Sequence, residues 1–180
     1  MFTIRPALES DIPVLAHIHV QGWKDAYKGI VDQDYLDSLK EEDRVKDWRN
    51  IFSNEEVSRL IAQTEDGRPA GFISFGKLKT PPPGSSPIRP LYSSEIYALY
   101  ILGDYWGQGL GINLMKQAAT RLRELKHPSL CLWVMEGNER AIAFYKKRGG
   151  QRCGKKQVDI GPTKGRNDLC FGWRDISVLI

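Results

Sequence analysis

The sequence predicts an α/β fold, a mixed sheet covered by helices. Three observations point there. Stretches with strand character and stretches with helical spacing follow one another as roughly β-α-α-β-β-β-α-β-α-β-β. Residues 95–112, EIYALYILGDYWGQGLGI, pass from a strand rich in β-branched and aromatic residues, through glycines at alternate positions, into an amphipathic helix. The 180 residues contain no repeat and no linker, which fits one domain over 1–180 with room for a full hydrophobic core.

Each element has its own signal. Phe2 to Arg5 reads as a short first strand. Ser10-Asp11 before Pro13 marks a helix start: a short side-chain oxygen can accept a free first-turn N–H, and proline suits the first turn. Ile12, Leu15, Ala16, Ile18 and His19 keep helical spacing, the helix runs to about Tyr27, and Gly29 breaks the pattern. A second helical region covers roughly Asp34 to Ile51, in one piece or two. Val57 to Gln63 and Ala70 to Lys77 read as hairpin arms around the turn Glu65-Asp66-Gly67. Lys79 to Ser93 carries PPPGSSP and Pro90 and reads as an exposed loop, because proline fixes φ and lacks an N–H. After the strand from Glu95, a helix is expected from about Gln108 to Lys126, with Pro128 beyond its end. Ser129 to Met135 reads as a buried strand. Asn138 to Arg148 reads as a short helix, with Asn138 as N-cap and Gly149-Gly150 as its stop. Gln151 to Asp159 and Asn167 to Trp173 are two last strands, joined by a loop with Gly161-Pro162 and Gly165.

Composition narrows the class. The apolar fraction of 41% and charged fraction of 27% are ordinary for a soluble globular protein. A net charge of +4 with acidic residues dispersed among the basic ones gives no footprint for nucleic acid. The longest apolar runs, such as LCLWVM, fall far short of the ~20 residues that span a membrane. No secretory leader pattern opens the chain. The cysteines Cys131, Cys153 and Cys170 are odd in number and widely spaced, which suggests free thiols in a reducing compartment, and so a cytoplasmic protein. His17, His19 and His127 lack metal-ligand spacing, so no metal is expected.

The chemistry concentrates at the glycine turn. A helix N-terminus has unpaired N–H groups and the positive end of the helix dipole, and glycine lets a phosphate approach the backbone closely. A dinucleotide fingerprint fails, because Ile112 stands where its third glycine belongs. A Walker loop fails too, since Gly111 is followed by Ile-Asn instead of Lys-Ser/Thr.

With the rest of the chain included, the sequence resembles the GCN5-related N-acetyltransferase (GNAT) family over nearly its whole length. The family's Q/R-x-x-G-x-G/A stands here as Trp106-Gly107-Gln108-Gly109-Leu110-Gly111, with Trp106 in place of the polar first residue. Its second motif, N-x-x-A-x-x-F-Y-x-x-x-G, is present as Asn138, Ala141, Phe144, Tyr145 and Gly149, with Gly150 where an aromatic residue often follows. The resemblance implies the GNAT-like acyl-CoA N-acyltransferase fold, a central mixed and mostly antiparallel sheet with helices on both faces. It implies acetyl-CoA as co-substrate, its pyrophosphate on the N–H groups of Gln108 to Ile112. It also implies a fourth strand splayed from the fifth, whose backbone near Leu99 and Ile101 pairs with the pantetheine arm. Homodimers are common in the family.

The resemblance also implies roles for single residues. Tyr145 matches the tyrosine that protonates the departing thiolate, a task suited to a phenol that stays protonated at neutral pH; the alternative is a core tyrosine holding the helix to the sheet. Asn138 either contacts CoA or only caps its helix. Glu95 lies fourteen residues before Gly109 and sixteen before Gly111, the offsets of the general-base glutamate in the histone acetyltransferase branch. The alternative is a solvated strand-start glutamate. On the acceptor side, Trp23, Tyr27 and Tyr35 stand near Asp25, Asp32, Asp34 and Asp37, aromatic faces and carboxylates that would suit a cationic amine. The alternative is an ordinary amphipathic helix pair. The expected activity is direct transfer of acetyl from acetyl-CoA to a primary amine of a small molecule or peptide in a ternary complex. A non-catalytic acyl-CoA-binding module on the same fold is the competing reading.

Overall fold

The computed structural model describes residues 1–86 and 90–180; the stretch 87–89 of the expected proline-rich loop lies outside them. The strands are β1 (Phe2–Pro6), β2 (Val57–Thr64), β3 (Pro69–Lys77), β4 (Ser94–Ile101), β5 (Leu130–Met135), β6 (Gln151–Ile160) and β7 (Thr163–Trp173). The helices are α1 (Ile12–Tyr27), α2 (Gln33–Ser38), α3 (Glu41–Phe52), α4 (Leu110–Glu124) and α5 (Glu139–Lys147). The strands form one seven-stranded sheet in the order β1-β2-β3-β4-β5-β7-β6. β4 and β5 pair parallel, and every other neighbouring pair is antiparallel.

Strand alternation divides the core between the two faces. On β3, Phe72 packs with Leu15, Ile18 and Trp48 of α1 and α3. Its neighbour Ile73 packs with Leu114, Ala118 and Phe171 on the α4 and α5 side. Adjacent side chains on a strand point to opposite faces, so one hydrophobic run anchors two helical layers.

The structure shifts several expected boundaries. Asp11 does not cap α1. It ends a 3-10 turn, Glu9–Asp11, and makes no cap bond. Its carboxylate instead accepts from both terminal nitrogens of Arg5, at 2.6 and 2.8 Å, and from the Leu8 N–H. The second helical region is two helices, with Asp32 capping α2 through the Tyr35 N–H. α4 starts at Leu110, two residues later than expected, because Gly107 and Gly109 hold φ of +75° and +80°, outside the helical region. β7 begins at Thr163 instead of Asn167: the chain turns at Gly161-Pro162 and pairs at once, Ile160 with Thr163. Short 3-10 turns at Gly103–Tyr105 and Ile176–Leu179 carried no sequence signal.

The feature that builds the site is the seam in mid-sheet. β4 and β5 pair only at Ser94 with Leu130, Glu95 with Cys131 and Ile96 with Leu132. On its other edge β4 slips register against β3: Ser74 pairs with Ala98 and Phe75 with Ile96, leaving Tyr97 as an extra residue. A bulge of this kind bends its strand, and it falls where β4 leaves β5. From Tyr97 onward the two strands diverge.

Candidate active site

A cleft of about 360 Å³ opens between the diverging strands, bounded by the start of α4 and by α5. Leu99 and Ile101 of β4 line one wall. Trp106, Gly107 and Gly109 to Ile112 form the end, and Asn138 and Tyr145 stand opposite. Gln108 does not line it; its exposed amide donates to the Asp104 carbonyl, bracing the turn. The glycines act differently. Gly107 and Gly109 supply left-handed backbone, whereas Gly111 is a packing position: a Cβ there would stand 3.3 Å from both Ile101 and Phe144. The first turn of α4 carries no acidic residue, so its free N–H groups offer a positive end to the cleft.

Trp106 turns its indole N–H to the Ile101 carbonyl at 2.7 Å. The guanidinium of Arg140 lies 3.3 Å from the centre of that ring. The departure at position 106 is therefore offset: the tryptophan carries a stacked cation from α5 to the same end of the cleft. Sequence reasoning missed Arg140, although its place two residues after Asn138, at the start of α5, was a usable signal.

Asn138 is buried, and its side chain accepts the Ala141 N–H at 3.2 Å, which makes it the cap of α5. Tyr145 is buried among Phe144, Phe171 and Trp173 while still lining the cleft. Burial raises its pKa far above that of a free phenol, against a smaller opposing pull from Arg140. The hydroxyl therefore keeps its proton at neutral pH.

Glu95 is buried, which removes the reading of it as a solvated strand-start residue. Its Oε2 accepts the backbone N–H groups of Lys79 at 3.0 Å and Thr80 at 2.7 Å. The Thr80 carbonyl accepts from the Trp133 indole, so the first turn of the loop after β3 is tied down from both sides. Glu95 lines a second cavity of about 630 Å³, together with Trp23, Tyr27, Trp133, Lys156 and Asp168. The two cavities share Tyr27, Ile96, Tyr97, Tyr100 and Trp133, so they meet over the seam. Tyr27 and Tyr100 stand there, and burial raises the pKa of each.

The acidic cluster expected near the first two helices does not reach the second cavity. Asp25 accepts from Gln21 and from the Gly103 N–H, Asp32 caps α2, and Asp37 takes the Gln33 amide. Asp34 is exposed on the first turn of α2, and Tyr35 packs against the Gly161 turn. The carboxylate that does arrive is Asp168 of β7, half-buried, its pKa raised by burial against the pull of Lys156. Aspartate is depleted in strands, so an Asp within NDLCFGW was the available hint.

His17 pairs with Glu41 on the surface. His19 is enclosed by Trp48, Phe72 and Tyr100. Cys131 and Cys170 are buried, and all three thiols are unpaired.

The comparisons with known proteins agree with this architecture. Residues 23–150 match the acetyltransferase (GNAT) family model. An N-acetyltransferase of Bacillus subtilis (strain 168) named YuaI, described as uncharacterized, is 31% identical over 179 residues, covering 99% of this chain and 96% of that protein. The PaiA N-acetyltransferase of Thermoplasma acidophilum, solved in complex with coenzyme A, is similar in fold. It has a TM-score of 0.70 at 20% identity, over 96% of this chain and 98% of its own. The ribosomal-protein-alanine N-acetyltransferase of Brucella melitensis has a TM-score of 0.70 at 24% identity, over 95% and 98%. The chain belongs to the GNAT family and is an acetyl-transferring enzyme. The competing reading as a non-catalytic module falls with that assignment.

Proposed function

We propose that this enzyme transfers the acetyl group of acetyl-CoA to a primary amine of a small molecule or peptide, by direct attack within a ternary complex. The observation that carries it is the junction of the cavities: a narrow cleft ending on a helix N-terminus opens, through Tyr27, Tyr97, Tyr100 and Trp133, into a wider cavity holding carboxylates. The cleft suits the donor. The free N–H groups at Leu110 to Ile112 take the pyrophosphate, the left-handed Gly107 and Gly109 allow its approach, and Arg140 adds a cation. The edge of β4 around Leu99 and Ile101, unpaired toward β5, accommodates the peptide-like pantetheine arm as an added strand would.

The acceptor amine enters the wider cavity and gives up a proton to Glu95, whose Oε1 is not engaged by the loop N–H groups. The amine lone pair then attacks the thioester carbonyl, the C–N bond forms and the C–S bond breaks. The departing thiolate takes the Tyr145 proton, and the second proton that the acylated nitrogen sheds restores the phenol. Bringing donor and acceptor together in adjoining cavities supplies the proximity that direct transfer needs.

Thiol release from acetyl-CoA across an amine panel tests this reading. Glu95→Gln is expected to lower kcat by roughly 10²-fold at neutral pH while leaving acetyl-CoA affinity nearly unchanged. Tyr145→Phe is expected to lower kcat by a similar factor, roughly 10²-fold. Full activity in either variant removes that residue from the mechanism.

A further inference from the structure

The wider cavity contains two cations that an acceptor of positive charge alone would have to face. The Lys79 ammonium stands 4.2 Å from the centre of the Tyr97 ring, and the Lys156 ammonium 4.3 Å from that of Trp133. Both rings belong to the junction where acetyl transfer is placed. Neither lysine forms an ion pair with another described residue. Against them stand Glu95, with one oxygen already taken by two N–H groups, and Asp168, which pairs in strand register with Lys156.

The charges are therefore arranged in two signs, not one. We propose that the acceptor is a small zwitterion of the amino-acid type, an amine with an anionic group a few bonds away. This rests on the acetyl-CoA-dependent reading above and narrows its acceptor. The ammonium arrives beside Glu95 and Asp168, and the anionic group is held by Lys79 and Lys156. A polyamine or a lysine side chain would bring further positive charge close to two ammonium groups that form no ion pair with a described residue, and like charges repel. A cavity of about 630 Å³ is of small-molecule size.

The test uses matched acceptor pairs: methionine against 3-(methylthio)propylamine, phenylalanine against phenethylamine, and an aminoalkylphosphinate against its phosphorus-free amine, with spermidine and a lysine peptide alongside. The zwitterion of a pair is expected to show kcat/KM roughly ten- to hundredfold above its plain amine, the worth of one or two charge-assisted bonds. Lys156→Gln is expected to raise the zwitterion's KM about tenfold, while the plain amine, no longer facing that cation, binds no worse. The phosphinate arm tells which anion is preferred. If plain amines or spermidine are acetylated as well as the zwitterions, or if the preference survives in the Lys79→Gln, Lys156→Gln double variant, the zwitterion reading is overturned and the amine acetyltransferase stands. If acetyl-CoA binds but no member of the panel releases thiol, both readings fail.

Discussion

At the residue scale, the most instructive position is Trp106. The family pattern expects a polar side chain there, and the sequence alone reads the exchange as a loss. In the structure the ring is a platform for Arg140, fixed by its own bond to the Ile101 carbonyl. Arg140→Ala is expected to raise the KM for acetyl-CoA by roughly fivefold, the scale of one partly exposed cation contact, with little change in kcat. Steady-state kinetics with acetyl-CoA varied decides it, and an unchanged KM would show that the arginine only packs. Glu95 and Tyr145 were singled out by their places in and before the motifs; each lines a cavity, and the variants above test their roles. The partners of Glu95 were not. Its oxygen is bonded to N–H groups fifteen and sixteen residues earlier, across the turn from β3, and nothing in a one-dimensional pattern pairs them. Asp168 and Lys156 were missed for the same reason: they approach the site through strand register.

At the element scale, the periodic segments were legible and their ends less so. α4 and α5 were found because apolar spacing agrees with a stop, Pro128 beyond α4 and Gly149-Gly150 after α5. The start of α4 was displaced by two left-handed glycines, whose backbone lies outside the helical region. Asn138 was named as the α5 cap, and its side chain takes the Ala141 N–H. Asn138→Ala is expected to cost about 1 kcal/mol of stability, read as a lower urea midpoint. Gly109→Ala meets no atom within 4 Å, so its effect is backbone strain at φ +80° alone. It is expected to cost about 1 kcal/mol and to weaken acetyl-CoA binding, measured by calorimetry. Gly111→Ala crowds Ile101 and Phe144 instead, so its penalty appears in packing. The bulge at Tyr97 could not be read from sequence, since a bulge is a relation between strands.

At the scale of the whole molecule, one buried group links folding to pH. His19 sits among Trp48, Phe72 and Tyr100, and burial lowers its pKa from 6.5 to about 4, helped by Arg44 and opposed by Asp47. The unfolded chain therefore binds the proton first as pH falls, so stability is lost as pH falls from about 6.5 toward about 4. Between pH 7 and pH 5 the contribution is about 2 kcal/mol. His19→Phe is expected to flatten that part of the stability profile relative to the parent, and parallel profiles would exclude His19 as the cause. A mixed sheet with helices on its faces followed from element order and apolar patterning; the order of the strands did not, and the seam between β4 and β5 was implied only by the family resemblance.

That seam has a mechanical meaning. Four strands, β1 to β4, make one plate, and β5, β7 and β6 make another; three residue pairs hinge them. A donor lying between Tyr97–Ile101 and Trp133–Met135 would bolt the plates together, so its occupancy would be felt by the sheet as a whole. Amide exchange at 97–101 and 133–135 is expected to slow together when CoA binds, along with a rise in melting temperature. Protection confined to the glycine turn would mean that the plates are already locked without it.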